Sequence, residues 1–340
     1  MKYDILKLLK EAAPGYVTGA ELGDRFGFSR TAAWKYIKEL REEGYTIEAA
    51  SRKGYRLIPE DGLINSFEIE NGLYTGIVGR EVLCYDTLPS TNLQAARLAA
   101  EGCADGLTVV ALQQTQGRGR LGRSWESPPD KGIYLSVVLR PPLAPAETQI
   151  LTLAAAVAAV NAIYVTTGLM TGIKWPNDIV ADGKKICGIL LEMNCEADRV
   201  NHIVLGMGIN YSHEAPDFPD ELRDRASSVL MALNDFNIRP ENTEIKSSSG
   251  RLALIRTVLR ELDFLLLEIL EGNNSSIIDM WRDYSATIGR EVRFKLRDEE
   301  YTGTAIDITE DGRLVVDCSD GIRRELISGE VSVRGIYGYV

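Results

Sequence analysis

The spacing of apolar positions divides the chain into three unlike stretches. In the first, Ile5, Leu8, Leu9 and Ala12 recur at helical spacing over residues 4–13 and stop before Pro14-Gly15. Thr18, with Glu21 three positions on, predicts a capped second helix ending near Phe26-Gly27. Ser29 caps a third helix over 30–43, closed by Gly44. Residues 46–50 and 55–57 then form a short hairpin turning at 51–54. Two short helices around a Gly-containing turn, followed by such a hairpin, outline a winged helix-turn-helix.

The second stretch mixes periods. Strand-length apolar runs occur at 107–113, 133–140 and 202–211, and Ser90-Thr91-Asn92 opens an alanine-rich helix reaching about Glu101. Residues 150–167 read as a buried helix packed on the sheet. Between the short runs 179–181 and 186–191, Asp182-Gly183 is a strong hairpin signal and sets Lys185 at the start of the returning strand. From 212 to 249 the composition turns polar and the period is lost; 252–271 is a leucine-rich amphipathic helix. After Trp281, residues 286–340 alternate like short strands, with turns at 310–312 and 319–321. The expected fold is α+β and multidomain: a winged helix-turn-helix over 1–62, a central α/β domain on a mixed sheet over 66–283, and a small SH3-like β-barrel over 286–340.

Composition narrows the function classes. A chain of 340 residues suggests two or three cores. Its 45% hydrophobic and 26% charged content is that of a globular protein, and no apolar run reaches the 18 or so residues of a membrane span. The charged start Met-Lys-Tyr-Asp-Ile-Leu-Lys is unlike a secretory leader, so a cytoplasmic protein with no membrane partner is expected. Five cysteines without a C-x-x-C pair, and only His202 and His213, argue for buried free thiols and against a zinc site or histidine-based hydrolysis. The net charge of −11 opposes nonspecific nucleic-acid binding by the whole chain. Residues 1–58, however, hold eleven basic and eight acidic side chains, a net of +3, with the positives gathered on the third helix and the hairpin tip. Ser29, Arg30, Thr31 and Lys35 are therefore candidates for DNA recognition, with Arg52 and Lys53 on phosphate. Trp34 is as easily core as recognition.

The most chemically loaded segment is 114–125, Gln-Thr-Gln-Gly-Arg-Gly-Arg-Leu-Gly-Arg-Ser-Trp. Gly117, Gly119 and Gly122 free the backbone for positive φ or a close approach, and Arg118, Arg120 and Arg123 place cationic forks between them. The glycines match G-x-G-x-x-G, but Ser127-Pro128-Pro129-Asp130 forbids the helix that a dinucleotide fold needs next. No G-x-x-x-x-G-K-[ST] occurs either. What remains is a loop suited to surround an anion, held between two strands.

With Ser90-Thr91-Asn92, Gln114, Gly117-Arg118-Gly119-Arg120, Gly122-Arg123-x-Trp125, residues 174–178, Lys185-Ile-Cys-Gly188-Ile-Leu-Leu-Glu192 and Gly206-x-Gly208-Ile209-Asn210 in this order, the chain resembles the biotin-protein ligases, specifically the bifunctional kind that represses the biotin operon. The resemblance implies a class II synthetase-like central domain, ATP and biotin as substrates with Mg²⁺, and two steps through biotinyl-5′-adenylate. The acceptor it implies is a lysine of the biotin carboxyl carrier domain of acetyl-CoA carboxylase; operator DNA and a biotinyl-AMP-dependent homodimer complete the implied partners. By the same resemblance Arg118, Arg120 and Lys185 are catalytic. Ser90, Thr91, Asn92, Gln114, Gly119, Arg123, Trp125, Gly188 and Asn210 contact biotin or its adenylate, Trp125 covering the adenine. Ser90, Thr91 and Asn92 would bond the ureido ring, although residues of these types at a helix start also serve as caps. Asp178 is a candidate for ordering metal or ribose. A lipoate-type ligase and a non-catalytic biotin-sensing transcription factor are the alternatives.

Overall fold

The computed structural model describes residues 1–59, 62–196, 199–240, 245, 247–296, 299–327 and 334–335. Helices α1 (Lys2–Ala12), α2 (Gly19–Phe26) and α3 (Arg30–Glu42) are followed by the hairpin strands β1 (Ile47–Ala50) and β2 (Gly54–Leu57). Local chemistry sets the helix starts: Thr18 Oγ1 accepts from Glu21 N–H while Glu21 Oε2 accepts from Thr18 N–H, and Ser29 Oγ accepts from Ala32 N–H. Ile5, Leu9, Leu22, Ile37 and Leu40 form the module's core. Val17 and Tyr55 exchange backbone bonds at 2.8 Å, which ties the hairpin to the helices.

The central part contains α4 (Ser66–Glu70), β3 (Val82–Leu88), α5 (Thr91–Ala100), β4 (Thr108–Gln114), β5 (Gly132–Leu139), α6 (Gln149–Thr167), β6 (Gly172–Lys174), β7 (Asp178–Ala181), β8 (Lys184–Glu196), β9 (Arg199–Asn210), α7 (Val229–Asp235), α8 (Ser248–Leu270) and α9 (Asn274–Asp283). Its seven strands run in the order β3-β4-β5-β9-β8-β7-β6, with β3 and β4 parallel and the other neighbours antiparallel. On one face, alternate residues such as Leu135, Leu205, Met207 and Ile209 pack with α6 and α8; on the other, Val109, Val138 and Val204 pack with Ala95 and Ala99 of α5. Helix α6 is apolar all round because it is covered over most of its surface, although Tyr164 and Val165 near its end are exposed. By length and composition it could cross a membrane, but most of its side chains are buried within this fold.

The last strands, β10 (Glu291–Leu296), β11 (Glu299–Ile308), β12 (Leu314–Cys318), β13 (Arg323–Leu326) and β14 (Arg334–Gly335), make one antiparallel sheet in the order β13-β12-β11-β10-β14. The two turns expected here fall at Gly312 and Gly321, both at φ +83. This sheet is docked on the central part: Trp175 Nε1 donates to Gly312 O at 3.1 Å, and Trp175 N–H to Thr287 Oγ1 at 2.9 Å. At the other junction, buried Glu68 of α4 accepts from Lys10 and Tyr45 of the helical module, and its backbone carbonyl accepts from Arg256 of α8.

Helices α4, α7 and α9 went unread in the sequence because each is short and takes its stability from packing rather than from its own period. The five cysteines are free; Cys187 and Cys318 are buried as expected, whereas Cys84 and Cys103 are half-buried and Cys195 is exposed. It lies toward the end of β8, beyond the part of the strand that the core covers.

Candidate active site and nucleic-acid interface

Period-two alternation decides which side chains meet. Gly188, Leu190 and Glu192 on β8, Gly206, Gly208 and Asn210 on β9, and Ser136 on β5 share the face that carries α5, with Gly188 opposite Gly208 and both Leu190 and Ser136 opposite Gly206. Three glycines in central strands forgo packing and leave a trough. A Cβ on Gly206 would lie 2.0 Å from Asn92 Oδ1, and one on Gly208 2.6 Å from Trp125 Nε1, so a side chain at either position would displace these neighbours. The trough opens into a cavity of about 910 Å³ lined by the 118–126 loop, residues 174–178, Lys185 and the segment 222–226.

One end of the trough is a hydrogen-bonded chain. Ser90, Thr91 and Asn92 are buried at the start of α5. Ser90 is the N-cap residue, yet its hydroxyl makes no cap bond among the described residues; Gln114 Oε1 instead accepts the Thr91 N–H at 2.8 Å. The capping alternative is thus not the one Ser90 uses, and the residue lines the cavity. Gln114 Nε2 donates to Ser127 Oγ, and Ser136 Oγ lies 2.8 Å from Thr91 Oγ1 and 2.6 Å from Asn92 Oδ1. Asn92 Nδ2 donates to Glu192 Oε2 at 2.8 Å.

The cations are fixed one by one. Arg118 pairs with Glu192 at 3.1 Å, and Arg120 donates to Asn177 Oδ1 at 2.9 Å. Burial pulls the Arg120 guanidinium below its usual value, with Asp178 opposing and Arg123 adding to the shift. Arg123 also lines the cavity. Lys185 pairs with Asp178 at 2.6 Å, and its Nζ sits 5.0 Å from the Trp125 ring centroid. The β7–β8 register slips so that Ile179 faces Cys187 while Val180 faces Lys185; this bulge turns Lys185 toward the cavity. Residues 225–227 bond to both backbone groups of Lys185, closing the wall beside it.

Trp125 lies across Gly188 and Gly208 on the trough floor, and its buried Nε1 has no partner among the described residues. In the loop, positive φ falls on Leu121 and Gly122, whereas Gly117 and Gly119 do not use it. Gly117 instead makes the close approach, its Cβ position lying 2.2 Å from Trp125 O. Asn210 is turned to its own backbone neighbourhood, donating to Ser227 O at 3.0 Å. No group of three His, Cys, Asp or Glu side chains is clustered among the described residues, and Asp178 is engaged by Lys185.

Sequence reasoning missed Ser136, and quoted Glu192 only as the end of the Lys185 motif without giving it a role. The first was visible as the lone hydroxyl in the apolar run Gly-Ile-Tyr-Leu-Ser-Val-Val-Leu, and the second by its even spacing from Gly188.

On the helical module, α3 buries Ala33, Ile37 and Leu40 and turns Thr31, Trp34, Lys35 and Lys38 outward. Trp34 is 53% exposed and so belongs to the outer face, not the core. The Arg30 side chain lies outside the described residues. Ser29 spends its hydroxyl as the α3 cap. Arg52 and Lys53 are exposed at the hairpin tip, Arg52 at φ 66 and Lys53 with its Nζ 5.8 Å from the Tyr16 ring.

A trough of fixed cations on a mixed sheet, with a winged helix-turn-helix before it and an antiparallel sheet behind, defines a ligase joined to a DNA-binding module. Comparison with known proteins agrees at each part. Residues 84–210 match the biotin/lipoate A/B protein ligase family, 2–56 an HTH domain and 287–334 the biotin protein ligase C-terminal domain. The bifunctional ligase/repressor BirA of Bacillus subtilis is 37% identical over 324 residues, 95% of this chain and 96% of that one. That of Escherichia coli is 29% identical, over 97% of each. The structure of biotin protein ligase from Aquifex aeolicus in complex with biotin and ATP superposes with a TM-score of 0.60 at 26% identity, covering 75% of this chain and 98% of that one. The chain belongs to the biotin protein ligase family, in its bifunctional ligase/repressor branch.

Proposed function

We propose that this protein joins biotin to a lysine of a biotin carboxyl carrier domain, such as that of acetyl-CoA carboxylase, at the expense of ATP, and that its adenylate-bound form represses biotin genes through the winged module. The observation that carries this reading is that Arg118, Arg120 and Lys185, each held by its own partner, line one cavity with the Ser90 to Gln114 network.

In the first step a biotin carboxylate oxygen attacks the α-phosphorus of ATP, and pyrophosphate leaves. Two anions must meet, so cations placed in advance lower the barrier most. Arg118, Arg120 and Lys185 are suited to that, with Arg123 toward the departing pyrophosphate. Ser90, Thr91, Asn92 and Gln114 offer the donors and acceptors that a ureido ring requires, and Gly119, Gly188 and Asn210 shape the wall. Trp125 would shift from the floor to stack on adenine. In the second step the acceptor lysine's neutral amine attacks the mixed anhydride's carbonyl carbon, AMP leaves, and the amine's proton passes to solvent. The sparse carboxylates suit Mg²⁺ carried in on the nucleotide, held chiefly by phosphate oxygens and water, with Asp178 the proposed protein contact.

For repression, two adenylate-bound copies would present Ser29, Arg30, Thr31 and Lys35 to a palindromic operator, with Arg52 and Lys53 on phosphates. The test is mass analysis of a carrier domain incubated with the protein, ATP and Mg²⁺, with biotin and lipoate in parallel. Mass gain with biotin alone is expected; gain with lipoate alone would overturn the substrate assignment.

A further inference from the structure

We propose that Glu192 is a positioning residue for adenylation: one carboxylate fixes both the network at the end of the trough and the Arg118 guanidinium at its mouth. The inference rests on the ligase reading above.

Glu192 projects from β8 on the trough face, two strand positions beyond Leu190. Its Oε2 accepts from Asn92 Nδ2 at 2.8 Å and its Oε1 pairs with Arg118 at 3.1 Å. Asn92 is 4% exposed, and its other end, Oδ1, meets Ser136 Oγ at 2.6 Å. An ionised carboxylate only accepts, so it dictates which end of the Asn92 amide faces it and therefore which end faces Ser136. Ser136 in turn abuts Thr91 Oγ1, and Thr91 is bonded to Gln114 through both N–H and hydroxyl. Glu192 is thus the charged acceptor at one end of a chain through the buried Asn92, Ser136 and Thr91, whose far end, the half-buried Gln114, is also held by Ser127.

The second contact has a different character. The Arg118 and Glu192 side chains are 45% and 34% exposed, so the pair stabilises the fold little. Its effect lies in direction: it holds a guanidinium at the opening of the cavity, where a misplacement of about 1 Å can cost on the order of 100-fold in rate.

The two contacts separate by substitution. Glu192→Gln keeps an amide oxygen for Asn92 and removes the charge that holds Arg118; Glu192→Ala removes both. Initial rates of pyrophosphate release by the full chain with ATP and Mg²⁺, at varied biotin, give kcat and KM for each. Glu192→Gln is expected to lower kcat about tenfold with KM for biotin within about twofold of wild type; Glu192→Ala is expected to lower kcat as much and raise KM about tenfold. The thermal midpoint of Glu192→Gln should stay close to that of wild type. Unchanged kcat in Glu192→Gln, or the same KM in both variants, or losses that follow a falling thermal midpoint, would overturn the proposal while leaving the ligase reading intact. A wild-type chain that releases no pyrophosphate with biotin sinks the ligase reading, and the role of Glu192 with it.

Discussion

The trough proposed as the catalytic site and the winged module both present cations, and they hold them in different ways. In the trough, Arg118, Arg120 and Lys185 each have a partner, Glu192, Asn177 and Asp178 in turn. On the module, Lys35 and Arg52 stand exposed with no polar side-chain partner among the described residues. The difference follows from the task. Charge that stabilises a transition state must be in place beforehand, because reorganising it during reaction costs what it would gain. Phosphate contacts on DNA are worth most through released counterions, and they can order a flexible side chain as they form.

The largest separation of the two regions should come from the trough cations. Arg120→Gly and Lys185→Ala are each expected to lower kcat/KM for biotin adenylation by about 100-fold to 1000-fold. DNA affinity measured without biotin should be unchanged, and a joint loss would show that the regions are not independent. Next comes Gly206→Ala, whose Cβ would lie 2.0 Å from Asn92 Oδ1. It should cost about 1–3 kcal/mol in denaturant unfolding and weaken biotin binding. Full retention of both would mean the trough floor yields more readily than its contacts imply.

Acid should loosen the trough before the module. His213, 1% exposed, is stacked on Phe218, which lines the cavity. Burial pushes it down to about 4, with Asp217 opposing. The unfolded chain takes up a proton near pH 6.5 that the folded chain refuses, so this stability is present above 6.5 and lost as pH falls toward 4. The loss is on the order of 2 kcal/mol at pH 5, and His213→Phe should flatten it in the pH dependence of thermal unfolding. An unchanged slope would place the acid sensitivity elsewhere. The smallest effect belongs to the module: Arg52→Ala with Lys53→Ala should weaken DNA binding about tenfold and reduce the salt slope by about 2, with biotinylation rate unaltered. A changed rate would couple the hairpin tip to the trough.

Legibility in the sequence tracked how local each determinant was. The Thr18–Glu21 box, the Ser29 cap and the Asp182-Gly183 turn needed only neighbours three or fewer positions away, and the structure has each of them. The loop cations were legible as residue types, but their partners were not, since Arg118 meets Glu192 and Arg120 meets Asn177 across long separations. Positive φ at Leu121 ran against the residue type and could not have been read from composition. Trp34 was ambiguous because helical period alone cannot rank two adjacent faces; burial of Ala33 and Ile37 decides it.

The most direct test is exchange of labelled pyrophosphate into ATP by the wild-type protein, with and without biotin. Exchange that requires biotin, is not supported by lipoate, and is lost in Lys185→Ala is the expected result. Biotin binding without exchange, or exchange independent of biotin, would contradict the assignment of the trough as an adenylating site.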